Sequence, residues 1–190
     1  MIEIETRQLA GIPVLHAVPA GKRECSLPCI IFYHGFTSSS LVYSYFAVAL
    51  AQAGFRVVMP DAPDHGARFK SDAKVRMHRF WHILQQNMQE FTTLRAALVA
   101  ENWLSDERLA VGGASMGGMT ALGIMARHPE VKCVANLMGS GYFTRLAQTL
   151  FPPLLVQTPE QQAEFDAVIA PLAEWDVTHQ LPRLADRPLL

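Results

Sequence analysis

The sequence of 190 residues has no apolar run approaching the roughly 20 residues that a helix needs to cross a bilayer. It also has little excess charge. Sixteen Lys and Arg stand against seventeen Asp and Glu, for a formal net charge of -1, and no basic stripe is present that could follow a phosphate backbone. Neither a membrane nor a nucleic acid is an expected partner. Cysteine is scarce: Cys25, Cys29 and Cys133 are odd in number, and their spacing fits neither a disulfide framework nor a zinc site, so they read as reduced packing residues. The opening stretch MIEIETRQLAGIPVLHAVPAG lacks the basic start and unbroken apolar segment of a secretory signal, which makes the cytoplasm the expected location. Internal repeats, low-complexity tracts and a second domain are likewise not evident. What the chain does have is apolar content: 50% of its residues, enough at this length for one domain with a sizeable core.

The order of the apolar segments predicts an α/β architecture. IEIET and IPVLHAV alternate like two strands of a hairpin and are joined through Gly11. CIIFY, from Cys29 to Tyr33, and FRVVMP, from Phe55, are instead continuously apolar and suit strands buried on both faces. Between them VYSYFAVALAQAG has helical spacing and stops at Gly54. Helix formers run from about Val75 to Trp103, RLAVGG supplies another strand, MGGMTALGIMARH another helix, and VKCVANLMG a further buried strand. Strand and helix alternate throughout. The expectation is a mostly parallel, doubly wound sheet with an N-terminal antiparallel hairpin.

The segment from about 141 to 182 breaks this rhythm and reads as a small helical cap inserted into a single domain spanning 1–190. Pro152 and Pro153 are expected to interrupt one helix, and Thr158 with Pro159 to start the next. Phe143, Leu150, Phe151, Leu154 and Leu155 offer an apolar underside that could cover a cleft; a surface excursion fits the same residues.

The residues that suggest chemistry surround Ser115. Gly113-Ala114-Ser115-Met116-Gly117 matches G-x-S-x-G and falls between a buried strand and a helix, the context a nucleophile elbow requires. Glycines two positions before and after the serine let so sharp a turn close, although they also suit an ordinary strand-to-helix turn. A serine attacking an ester creates an oxyanion that needs two pre-placed N-H donors. Met116 N-H is one candidate. The loop YHGFTSSS, which follows an earlier buried strand, offers Phe36 N-H as the other, with His34 and Gly35 allowing the backbone to turn there.

Through FYHGFTSSS, MPDAPDHGAR, GGASMGGMTALG and the final RPLL, the chain resembles the α/β-hydrolase superfamily, in particular small bacterial esterases with a prolyl-oligopeptidase-like or dienelactone-hydrolase-like core. The resemblance implies a nucleophilic Ser115, an oxyanion role for Phe36, and hydrolysis of small, short-acyl carboxylic esters without metal or organic cofactor. It implies that Asp61, His65 and Gly66 shape the site rather than react. In that family the acid and the histidine follow later strands. The sequence ends at DRPLL, which resembles the start of the first of these, so the expectation is that the triad Asp and His lie beyond Leu190 and that the chain is C-terminally incomplete.

Other histidines are weaker candidates. Asp176 and His179 follow Ser115 in the right order but sit three apart at the end of the cap, where they are expected to be solvated or capping. His78 and His82 have the spacing of a helical zinc pair but lack the intervening Glu of H-E-x-x-H. His128 is expected at a helix C-terminus and His16 within a strand. Two further readings stay open beside the esterase: a non-catalytic ligand-binding module that keeps the pocket, and acyl transfer through the same elbow. A nucleotide loop is disfavoured because GGASMGG has neither the P-loop Lys nor dinucleotide spacing.

Overall fold

The computed structural model describes residues 1–190 apart from Ser71 and Ala185. Strands β1 (Ile2–Leu9) and β2 (Ile12–Pro19) form the antiparallel hairpin, with Leu9 paired to Ile12 across Ala10 and Gly11. Both linking residues have positive φ, 50° and 79°, as a tight turn that matches strand twist requires. β3 (Leu27–Tyr33), β4 (Arg56–Pro60), β5 (Leu104–Ala114) and β6 (Cys133–Leu137) then run parallel to one another. The sheet order is β1-β2-β4-β3-β5-β6, and only the hairpin is antiparallel to its neighbours.

Helices lie on both faces, and where they cover the sheet, at β4 and the end of β3, the strands read as continuous apolar runs. Along β3, Cys29, Ile31 and Tyr33 face one layer and Phe32 faces the other. Helix α1 (Ser44–Gln52) lies on the Phe32 side with Ala47 and Ala51 fully buried, and ends before Gly54 at φ 101°. On the opposite side α4 (Met116–Arg127) packs against the sheet and α3 (Phe80–Ala100) packs on α4. Among the buried residues of α3, Phe80, Leu84, Met88, Phe91, Leu94 and Leu98 recur every three or four positions, and Trp81, Ile83 and Asn87 widen the stripe.

Two expectations about these helices and strands need correction. The helix expected from Val75 to Trp103 is two: α2 (Ala73–His78) starts on Asp72, whose carboxylate accepts from Lys74 N-H, and the chain breaks at Arg79 before α3. β5 begins at Leu104, well before RLAVGG, because Ser105, Asp106 and Glu107 continue the strand in polar, solvated form, with Asp106 and Glu107 in the left-handed region.

The segment from 141 onward contains α5 (Phe143–Leu146) and α6 (Pro159–Ile169) and ends in short turns and α7 (Leu181–Leu184). Thr158 and Pro159 start α6 as expected, and Thr158 and Gln161 close a capping box there. Pro152 and Pro153 do not interrupt a helix, however: α5 has ended at Leu146, and they lie in a turn region. Trp175 packs over Arg127 and His128 and so anchors this segment to the end of α4.

On the α1 side, the part of the sheet beyond that helix forms an open apolar groove of about 560 Å³, lined by Ile30, Phe32, Ala110, Cys133, Ala135 and Leu189 among others. Pro188 to Leu190 lie beside β6 in parallel register, with Leu190 N-H donating to Val134 O and Asn136 N-H to Leu190 O. Among the described residues, no helix is long and apolar enough to cross a membrane.

Candidate active site

Parallel pairing places three loops side by side at the carboxyl ends of β4, β3 and β5, where ligands bind in sheets of this type. Tyr33 pairs with Gly113 and Ile31 with Val58, so the chain leaves the sheet at His34, at Ser115 and at Asp61 within one neighbourhood.

Ser115 is exposed while its neighbours in sequence are buried. Its backbone sits at φ 55° and ψ -118°, a conformation that L residues avoid, and it is held there by its N-H donating 2.7 Å to Leu137 O and its carbonyl accepting from Met119 N-H at 3.0 Å. The flanking glycines are a steric necessity. A Cβ on Gly113 would stand 2.4 Å from the Gly117 carbonyl, and one on Gly117 would stand 2.0 Å from Tyr33 O and 2.8 Å from His34 O. The start of α4 is thereby drawn against the end of β3. Among the described residues neither Met116 N-H, at the first position of α4, nor Phe36 N-H has a protein partner.

The loop after β3 is fixed with unusual completeness. His34 donates from Nδ1 to Gly35 O at 2.8 Å and accepts at Nε2 from Ala62 N-H at 3.0 Å. His65 donates from Nδ1 to Pro63 O at 2.8 Å and accepts at Nε2 from Thr37 N-H at 3.0 Å. Asp61 accepts from Ser40 N-H at 2.8 Å and Ala67 N-H at 2.9 Å, and a Cβ on Gly66 would stand 2.3 Å from that carboxylate. Gly35 lies against the Tyr43 hydroxyl, where a Cβ would come within 2.8 Å. Arg68 ties the loop after β4 to α3 with two bonds to Glu90, 2.7 and 2.8 Å, and bonds Asp61 O within its own loop.

Both histidines are buried and neutral. Burial pushes the His65 imidazole down to about 4, helped by the neighbouring His34 and Arg76, and burial likewise lowers His34. With both ring nitrogens of each engaged by the backbone, neither presents a free nitrogen to Ser115.

Ser115 opens into a cavity of about 590 Å³ whose walls include Phe36, Met77, Phe80, Met119, Leu150 and Phe151. The rings of Phe36, Phe80 and Phe151 pack mutually at 4.9 to 5.5 Å. Met77 and Phe80 were not legible as site residues, since in sequence they only continue a helical pattern. The apolar underside of the cap needs correction: Leu150 and Phe151 line this cavity, but Phe143 is buried in the core, Leu154 faces a separate cavity under α6, and Leu155 is exposed.

The remaining candidates are dispersed. His78 and His82 are both exposed and lie on different helices, so their spacing no longer puts them on one face. Among the described residues, no group of three His, Cys, Asp or Glu could hold a metal ion. The buried Asp176 carboxylate accepts from the N-H and hydroxyl of both Thr144 and Thr178, while His179 is exposed. Burial alone would raise the Asp176 carboxyl, but the Thr178 and Thr144 donors outweigh it and hold the group below its usual range, the signature of a pinned structural carboxylate. His128 caps α4 beside Glu130, and His16 lies within β2, as expected.

This sheet order, with a strained serine between a buried strand and a helix, defines a hydrolase architecture. Residues 28–189 match the family model of the alpha/beta hydrolase fold, and the chain belongs to that family. It is similar to Esterase YjfP of Escherichia coli (strain K12), 70% identical over 190 residues that make up 100% of this chain and 76% of that protein. It is 33% identical to YitV of Bacillus subtilis (strain 168), with 100% of this chain and 76% of the relative covered. The crystal structure of TT1662 from Thermus thermophilus shares the fold at a TM-score of 0.65 and 19% identity, covering 100% of this chain and 87% of that one.

Proposed function

We propose that this chain carries the nucleophile and oxyanion half of a serine carboxylic-ester hydrolase. The observation that carries this reading is Ser115, exposed at the mouth of an apolar cavity on a backbone that only neighbouring glycines permit. Ser115 Oγ attacks the ester carbonyl, the oxyanion accepts from Phe36 N-H and Met116 N-H, the alcohol departs with a proton, and water releases the acid from the acyl-enzyme. Small esters with short acyl chains fit a cavity of about 590 Å³ walled by Phe36, Phe80 and Phe151. The segment 141–182 acts as the cap, because Leu150 and Phe151 close one side of that cavity. The 70% identical esterase supports the reaction class.

The general base and its acid partner are proposed to lie in the portion of the esterase relatives that this chain does not span, following successive later strands of the sheet. The test compares p-nitrophenyl acetate hydrolysis by this chain and by one extended through roughly 60 further residues of its gene, room for two strand-helix units of typical size. Extension should raise Ser115-dependent turnover about 10²-fold or more, since loss of a triad member leaves only the contribution of the oxyanion hole and binding. Equal turnover would contradict it.

The engaged ring nitrogens of His34 and His65 favour a second reading for the chain by itself, a pocket that binds an ester without cleaving it. Stoichiometric recovery of intact ester from the complex would support that alternative. Acyl transfer would show as product partition that changes when an alcohol or thiol acceptor is added.

A further inference from the structure

The two loops flanking the site exchange hydrogen bonds reciprocally. His34, in the loop after β3, accepts from Ala62 N-H in the loop after β4, and His65, in the loop after β4, accepts from Thr37 N-H in the loop after β3. The rings stand 5.3 Å apart and the His65 ring packs 5.2 Å from Phe36. Thr37 is itself in the left-handed region at φ 63°, a conformation that a β-branched residue does not adopt without restraint. Thr37 N-H belongs to the peptide that follows Phe36, with only Phe36 φ and ψ between it and Phe36 N-H, so a bond that holds Thr37 N-H restrains the turn that carries Phe36 N-H.

We infer that His65 is a positioning residue for the reaction: through Nε2 it holds Thr37 N-H, and with it the strained turn that aims Phe36 N-H at the developing oxyanion. This rests on the Ser115 reading above. His65 does not touch the substrate. Its ring separates two duties by atom, Nδ1-H serving its own loop through Pro63 O and Nε2 serving the oxyanion loop. Deleting the ring would remove both, but two amide side chains divide them: the Asn amide reaches the position of Nδ1 and the Gln amide that of Nε2.

The experiment labels Ser115 with a fluorophosphonate in the parent chain, His65→Asn and His65→Gln, resolving the maximal labelling rate from the half-saturating probe concentration, with amide hydrogen exchange of residues 34–40 measured alongside. His65→Gln should retain a rate within about threefold of the parent, whereas His65→Asn should label about tenfold or more slowly at unchanged half-saturation, a fraction of the 10² to 10³ that follows complete loss of an oxyanion donor. Exchange at Thr37 should accelerate in His65→Asn alone. Labelling of His65→Asn as fast as His65→Gln, or loss confined to half-saturation, would overturn the inference. Failure of the underlying reading has a different signature, since Ser115→Ala would then label as fast as the parent whatever the His65 variants do.

Discussion

Gly117 meets the Tyr33 carbonyl so closely that a Cβ at residue 117 would stand 2.0 Å from its oxygen. The contact is backbone on backbone and cannot be relieved by a side-chain rotation. It joins the first turn of α4 to the end of β3, and so sets the distance between Ser115 and the loop that carries Phe36.

Gly117→Ala should therefore be costly in a way that surface glycines are not. Overpacking of this kind costs about 1–3 kcal/mol, and more where only backbone can yield. Urea unfolding should show that loss, with Ser115 labelling slowed at least about tenfold as an oxyanion donor moves out of line. Parent-like stability and labelling in Gly117→Ala would refute the packing argument.

Phe151 and Leu154 are three residues apart yet serve different cavities. In an active, extended chain, Phe151→Ala should shift the ratio of kcat/KM between longer and shorter acyl esters about tenfold toward the longer, the scale set by one or two methylenes in an apolar pocket. Leu154→Ala should leave the ratio unchanged. An equal effect of the two substitutions, or a uniform effect on all chain lengths, would remove the cap from substrate selection.

Acid should weaken the fold in a defined window. His16 is buried between Glu5, which accepts from Nδ1-H, and the Arg56 guanidinium, which donates to Nε2, and its ring stacks 4.4 Å from Trp103. Burial, with Arg56 and Arg7 adding to it against Glu5, lowers His16 from 6.5 to about 4, and His65 is lowered as far. The unfolded chain then binds more protons than the folded one between these values, so the stability the neutral rings contribute is present above 6.5 and lost as the pH falls toward 4. Each histidine adds up to about 1.4 kcal/mol per pH unit within that interval. Asp176 contributes on the other side of it, its share being lost only below its ordinary value of 3.8. Urea midpoints from pH 7.5 to 4.5 should fall, and His16→Gln, whose amide oxygen still accepts from Arg56, should flatten the slope by one proton. A flat parent profile would contradict this.

The strained strand-to-helix turn at Ser115 was legible in sequence because its requirements are local: apolar strand, two compulsory glycines and a helix lie within twenty residues of one another. β4 and the end of β3 were legible for a similar reason, continuous apolar character following from coverage on both faces, whereas β6, expected as a further buried strand, is only half-buried. The break at Arg79 was not, since helix formers run through it and the interruption depends on how α3 seats Phe80 and Trp81 in the core. Nor was the pairing of His65 with Thr37, 28 residues apart, which exists only because β3 and β4 are neighbours. Leu154 failed for want of direction: composition marks an apolar residue but not which cavity it faces.

The central claim is that Ser115, alone among the described serines, combines exposure with the proposed oxyanion donors Phe36 N-H and Met116 N-H. Intact-protein mass analysis after prolonged treatment with a fluorophosphonate tests it most directly. The account predicts a single adduct on the parent chain, mapped to Ser115 by peptide analysis, and none on Ser115→Ala. Equal labelling of the two proteins would contradict it.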